Sequence, residues 1–184
     1  MTEQPMNQLQ VPSADFWTIT PFTISTPDGW SATQTVDQLV YMSADGEPST
    51  NCGVQWKRIS RGLSLQQIGG MAWQVTKRMD PDAKLQYSRF ARVNGFTAYL
   101  RLSEFTKPVG AERVLTGQMY AAIHGPDFGE GRPIELFEII GHFEASNPHR
   151  AGDLEAILGS FEFLHVVRPS AGDQSPDGDV AKGA

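Results

Sequence analysis

Apolar and polar positions along the chain alternate between two periods. "FTIST" (residues 22–26) and "WSATQTV" (30–36) have the two-residue period of strands and are joined by Pro27-Asp28-Gly29. Pro presets the first turn dihedral, Asp supports the turn and Gly takes a positive φ without a steric penalty. That spacing predicts a hairpin in which Trp30 opens the second strand with Ala32 and Val36 on its face, the indole covering one end of a core. "DQLVYMS" (37–43) reads as a third strand and "GEPSTN" (46–51) as a loop. "CGVQWKRIS" (52–60) reads as a fourth strand, with Cys52, Val54 and Trp56 on one face.

The period then becomes helical. Leu65, Ile68, Ala72, Val75 and Met79 fall at helical spacing, Ser64 and Gln67 have capping-box spacing, and Asp80-Pro81 stops the run. Gly69 and Gly70 weaken this helix and predict close packing on a sheet or a kink. In "AKLQYSRFARVNGFTAYLRLSEF" (83–105), Asn94-Gly95 is the preferred pair for a two-residue type I′ turn. The turn sets Val93 opposite Phe96, Ala91 opposite Ala98, Arg89 opposite Leu100 and Tyr87 opposite Leu102. Two longer strands follow, "RVLTGQMYAAIHG" (113–125) and "PIELFEIIGHFEA" (133–145). The second is apolar on both phases, which predicts a central strand covered on both faces. Asn147-Pro148 reads as the cap and first position of a last helix with Leu154, Ile157 and Leu158 buried and Gly159 ending it. An extended piece anchored by Phe161 and Phe163 closes the chain. The order predicts an α+β domain: a mostly antiparallel β-sheet of about six to seven strands with two helices packed on it.

The chain has 184 residues, enough for one domain plus tails. Residues 1–13 read as a flexible N-terminal segment, 14–168 as the domain and 169–184, which lack large apolar side chains, as a disordered acidic tail. Net charge is −6 and the isoelectric point near 5.1, with no basic stripe; "KRISR" (57–61), the densest basic run, reads as a solvated strand end. Nucleic acid and anionic membrane are therefore not expected as partners, and no apolar run approaches a membrane span. The polar N-terminus shows no signal peptide or lipobox cysteine, so the sequence reads as cytoplasmic, although a trimmed export signal is compatible with it. The one cysteine, Cys52, excludes an intrachain disulfide.

Pro27-Asp28-Gly29-Trp30, Gly95-Phe96-Thr97-Ala98 and Ser160-Phe161 resemble, in order and spacing, the pattern of the PsbP-like/DcrB-like superfamily. This fold is shared by PsbP, the Ran-binding Mog protein, LpqN-type lipoproteins and Eag-type effector chaperones. The resemblance covers about residues 16–165 and implies a Mog/PsbP-like α/β sandwich. It marks Gly29, Trp30, Gly95, Phe96 and Phe161 as structural positions and implies a non-enzymatic binding or chaperone protein. The chain departs from the LpqN-type pattern by its lack of an export signal and by its acidic tail.

The reactive side chains give little chemistry. His124 and His142 lie near opposite ends of one proposed hairpin, where they could approach each other, but with His149 and His165 they form no ligand-spaced pair. Cys52, in phase with Val54 and Trp56, reads as a small buried side chain. Asp127 and Glu130 read as carboxylates on a solvated hairpin tip. No catalytic, metal or cofactor set is expected. The aromatics carry more information: of Trp17, Trp30, Trp56, Trp73, Phe96, Tyr99, Phe105 and Tyr120, most read as core. Trp73 falls off its helix's stripe, and Tyr99 and Tyr120 sit on the phases opposite the densest apolar face. With Met71 and Met119 as adaptable surface, these residues are the expected lining of a groove beside the first helix. The expectation is a protein-binding domain, chaperone or adaptor, that holds an apolar or helical segment of another protein in a concave patch. The alternative is a carrier of a small hydrophobic ligand or lipid in a sheet–helix pocket. A homodimer through an edge strand is left open.

Overall fold

A computed structural model describes residues 6–11, 19–109, 111–127 and 133–164. Trp17, Glu130, His165 and the acidic tail lie outside the described residues. The strands are β1 (Met6–Val11), β2 (Phe22–Pro27), β3 (Trp30–Thr33), β4 (Val40–Ala44), β5 (Glu47–Ile59), β6 (Lys84–Val93), β7 (Phe96–Val109), β8 (Glu112–His124), β9 (Ile134–Glu144) and β10 (Glu162–Phe163); the helices are α1 (Leu65–Met79) and α2 (His149–Ser160). Seven strands form one antiparallel sheet in the order β3-β4-β5-β9-β8-β7-β6, and β1, β2 and β10 form a second, small antiparallel sheet. The α+β architecture predicted from periodicity is the one observed.

β9 is central and covered on both faces, as its double apolar phase requires. Leu136 and Ile140 face α1, while Phe137, Ile139 and Phe143 join the larger core beneath α2 and the small sheet. α1 lies over β7 and β8 on one side; α2 packs on β2, β8 and β9 on the other. The β6–β7 hairpin has the predicted register, from Val93 opposite Phe96 to Tyr87 opposite Leu102, with Asn94 and Gly95 both at positive φ. An aromatic cluster closes the core: Phe163 lies edge to face with Phe96 (4.7 Å), Phe137 and Phe161 (both 5.0 Å), and Phe22 lies tilted against Phe161 (5.0 Å).

Several local expectations are corrected. Pro27-Asp28-Gly29 is not a hairpin turn. It is a corner at which the chain leaves the small sheet with β2 and enters the large one with β3, Gly29 taking φ +74°. Trp30 alone of β3, an edge strand, is buried; Ala32 is exposed, and Val36 lies beyond the end of this four-residue strand and is fully exposed. The indole Nε1 of Trp30 donates to Asp153 on α2 (3.3 Å), and Arg150 ties Asp153 (2.6 Å) to Glu47 at the start of β5 (2.6 Å). Residues 47–51, read as loop, belong to β5, with Asp45-Gly46 forming the tight turn from β4. Met6–Val11, in the stretch read as a loose N-terminus, pairs with β2. α2 starts without a side-chain cap from Asn147 and runs through Gly159 to Ser160.

Candidate functional site

The seat of α1 decides which residues this side of the molecule presents. Ser64 and Gln67 form the predicted capping box, the Ser64 hydroxyl accepting from the Gln67 N–H (3.2 Å) and the Gln67 side chain accepting from the Ser64 N–H (2.9 Å). The buried stripe differs from the predicted one. It consists of Leu65, Ile68, Gly69 and Thr76, while Val75 and Met79 are exposed. Two contacts rotate the helix. A Cβ on Gly69 would lie 2.1 Å from Cε1 of Tyr99, so the helix backbone is pressed onto that ring. One turn on, Trp73 covers the guanidinium of Arg101, 5.2 Å from the ring centre.

Arg101, on β7, is 1% exposed and lies between Trp73 and Tyr120, whose ring centre is 4.9 Å from the guanidinium carbon. Its terminal nitrogens donate to the Gly69 carbonyl (3.2 Å), to Gln118 Oε1 (2.7 Å) and to Thr76 Oγ1 (3.4 Å). Its Nε and the neighbouring Ser103 hydroxyl have no partner among the described residues. Burial lowers the pKa of the guanidinium, which nevertheless stays protonated. The Tyr120 hydroxyl donates to Glu138 Oε1 (2.6 Å), and Lys57 binds the other oxygen of that carboxylate. Burial first, then the Glu138 charge, raises the Tyr120 phenol pKa. The Gln118 amide donates to Nε2 of His142 (3.0 Å), which leaves His142 Nδ1 to donate to Asn51 Oδ1 (3.3 Å). Burial, assisted by Lys107, pushes the imidazole pKa down to about 4, so the ring is neutral.

Of the predicted groove residues, Trp73, Tyr99 and Tyr120 are therefore brought together, but around the protein's own Arg101. Met71 stands apart on the outer flank of α1. Met119 lies across the sheet, beneath α2, where with Cys52, Ala121, Ile139, Gly141, Leu154 and Leu158 it borders a gap with no room for a water molecule. Arg101, Gln118, Glu138 and His142 are absent from the sequence-derived set. The signal for them was a polar run on one phase of three adjacent strands, Arg101, Gln118 and His142 sharing the face under α1.

The remaining reactive groups stay apart. His124 sits opposite Leu136 and His142 opposite Gln118, so the two are six rungs apart, about 20 Å, and do not meet. Burial pushes the Cys52 thiol up to about 12, the reverse of what a nucleophile needs. Asp127 pairs with Arg61 at the surface (2.6 Å). No group of three or more potential metal ligands occurs among the described residues, and no helix there is long and apolar enough to cross a membrane.

The outer flank of α1 is the outstanding surface. Met71, Val75 and Met79, at i, i+4 and i+8, are 52, 51 and 59% exposed. Ile68, next to them on the helix, belongs to the cluster of Leu65, Tyr120, Ala122 and Leu136 against which Ile140 packs, whereas Gly69 and Trp73 face β7; the exposed row is therefore on the flank away from β7, toward the β9 side of the sheet.

By sequence, the chain matches no family model and no curated protein. By structure, it is similar to LpqN, involved in cell envelope biogenesis of Mycobacterium tuberculosis (TM-score 0.62, 11% identity, 84% of this chain and 88% of that one). It is also similar to cyanobacterial PsbP (CyanoP) from Synechocystis sp. PCC 6803 (TM-score 0.57, 12% identity, 85% of this chain and 92% of that one). The chain has the PsbP-like fold that its turn and strand motifs resemble.

Proposed function

We propose that the protein is a non-enzymatic binding protein, a chaperone or adaptor, that holds an apolar helical segment of a partner protein along the β9-side flank of α1. The observation that carries this reading is the row Met71, Val75 and Met79, about half exposed on a helix whose sheet-facing side buries Leu65, Ile68, Gly69 and Thr76. A row at i, i+4 and i+8 matches the anchor spacing of a second amphipathic helix laid alongside. Two of the three anchors are methionines, which adapt to varied apolar shapes. The buried polar chain under α1 supports the reading as well. Its hydrogen bonds lock the helix in one rotation and hold this row outward instead of letting it turn into the core. The ligand-carrier alternative gains nothing from the gap beneath α2, which is too small for water.

The test is a photo-cross-linking residue at position 75 in the full chain, expressed in cells, with position 66, exposed on the other flank, as control. A discrete protein adduct from position 75 and not from position 66 supports the reading. Equal or absent adducts at both positions contradict it.

A further inference from the structure

We infer that the free edge of β6 is a second binding surface, one that accepts an extended acidic segment of a partner as an added strand. This goes beyond the α1 flank and stands on different observations. β6 is the last strand of the large sheet, and nothing among the described residues pairs with its outer edge. It is ten residues long, where typical strands have about five or six. Native edges are usually short or otherwise blocked.

The hairpin geometry says which backbone groups face outward. A two-residue turn closes on a hydrogen-bonded pair, here Val93 and Phe96, and bonded and non-bonded pairs then alternate. Ala91, Arg89 and Tyr87 thus bond to β7. Arg92, Phe90 and Ser88 direct their N–H and C=O groups to the open side, a ladder of three donors and three acceptors.

The side chains say what would fit it. β6 carries Lys84, Arg89 and Arg92 and no acidic residue, in a chain whose net charge is −6; Lys84 stands opposite Glu104 on β7 and Arg92 donates to the Gly95 carbonyl (3.0 Å), so Arg89 is the cation on which the fit rests. Arg89 is exposed and lies against the Tyr87 ring (5.3 Å) on the face away from α1. Phe90, on the α1 face, is 49% exposed and meets Tyr99 edge to face at 5.9 Å. An incoming strand that alternates acidic and apolar residues places its carboxylates beside Arg89 and its apolar side chains beside Phe90. A second copy of this strand does not suit the edge. Antiparallel pairing of two β6 strands centred on Phe90 brings the two Arg89 side chains to diagonal positions, a like-charge contact.

The test is binding of a fluorescent decapeptide alternating Glu and Val to the full chain, followed by anisotropy. The controls are the same peptide with Lys for Glu and the same peptide with alternate amides N-methylated. The inference predicts that the Glu peptide binds, that Lys replacement and N-methylation each weaken binding about tenfold or more, and that Arg89→Glu does the same. Phe90→Pro, which removes an outward N–H without breaking a bond to β7, must also weaken binding. No binding, or binding indifferent to N-methylation, overturns the inference. If binding emerges only in the full chain carrying Asp173→Asn, Asp177→Asn and Asp179→Asn, the edge belongs to the chain's own acidic tail, which also overturns it. Concentration-dependent dimerisation that Phe90→Pro abolishes would assign the edge to a second copy, with the same consequence.

Discussion

The guanidinium of Arg101 lies 4.9 Å over the ring of Tyr120, and among the described residues it has no carboxylate partner. A buried cation held by a ring, a carbonyl and an amide is anchored more by shape and donors than by charge neutralisation. Arg101→Ala leaves a void between Trp73 and Tyr120 and strips donors from Gly69 and Gln118, so it should cost about 3–5 kcal/mol in urea denaturation. Arg101→Met keeps most of the volume and removes the desolvated charge, so it should cost clearly less, about 1–2 kcal/mol. Equal losses would mean that the charge itself is the stabilising element.

Gly69 and Gly70 are adjacent in α1 and should respond to alanine with opposite signs. At Gly70 a Cβ meets nothing within 4 Å, so Gly70→Ala should stabilise by up to about 1 kcal/mol through helix propensity. At Gly69 the new methyl collides with the Tyr99 ring, and the overpacking should outweigh that gain, a net loss of about 1–3 kcal/mol. In a Tyr99→Ala background the Gly69→Ala penalty should vanish. A double-mutant cycle read by chemical denaturation checks the coupling.

Trp30 joins three parts of the molecule: the corner between the two sheets, the core, and α2 through Asp153. Trp30→Ala should cost about 3–5 kcal/mol. Trp30→Phe keeps an aromatic ring in the core but loses the indole N–H and part of the ring, so a smaller cost of about 1–2 kcal/mol is expected. Thermal and urea unfolding of the two variants distinguish the plug from the tether.

The hairpin register and the central strand of the second half were legible because each signal there is local. Asn94-Gly95 sets its own register, and the doubled apolar phase of 133–145 requires cover on both faces. What was not legible is tertiary. Pro27-Asp28-Gly29 has the chemistry of a hairpin, and nothing nearby reveals that its two strands join different sheets. The rotation of α1 was misread because Val75 and Met79 extend an apolar period, while Gly69 and Trp73 are drawn down by residues about 30 positions away on β7. For the same reason Trp73, Tyr99 and Tyr120 read as the lining of a groove, and Arg101, on which Trp73 and Tyr120 pack, was not identified.

His142 gives a pH signature. Its folded pKa of about 4 lies below the ordinary value of 6.5, so the folded state favours the neutral ring. Between those values the unfolded chain binds the extra proton. Stability is therefore complete above about pH 6.5, falls as the pH drops toward 4, and loses at most about 3 kcal/mol from this group. Asp80 acts lower: the N–H groups of Thr106 (2.7 Å) and Asp82 (3.1 Å) hold its pKa below the usual carboxylate value, so its contribution is lost only at more acidic pH. Urea midpoints across pH 7 to 4 should show the decline in the native protein and a flatter profile in His142→Gln.

The central claim is that the Met71–Val75–Met79 row serves a partner and not the fold. Its most direct test is the yield of partner adduct from a photo-cross-linker at position 71, measured with and without the paired substitutions Val75→Glu and Met79→Glu. The account predicts that the adduct disappears while the unfolding free energy from urea denaturation stays within about 0.5 kcal/mol of the native protein's, as expected for exposed sites. An unchanged adduct would contradict it, as would a large loss of stability showing that the row belongs to the core.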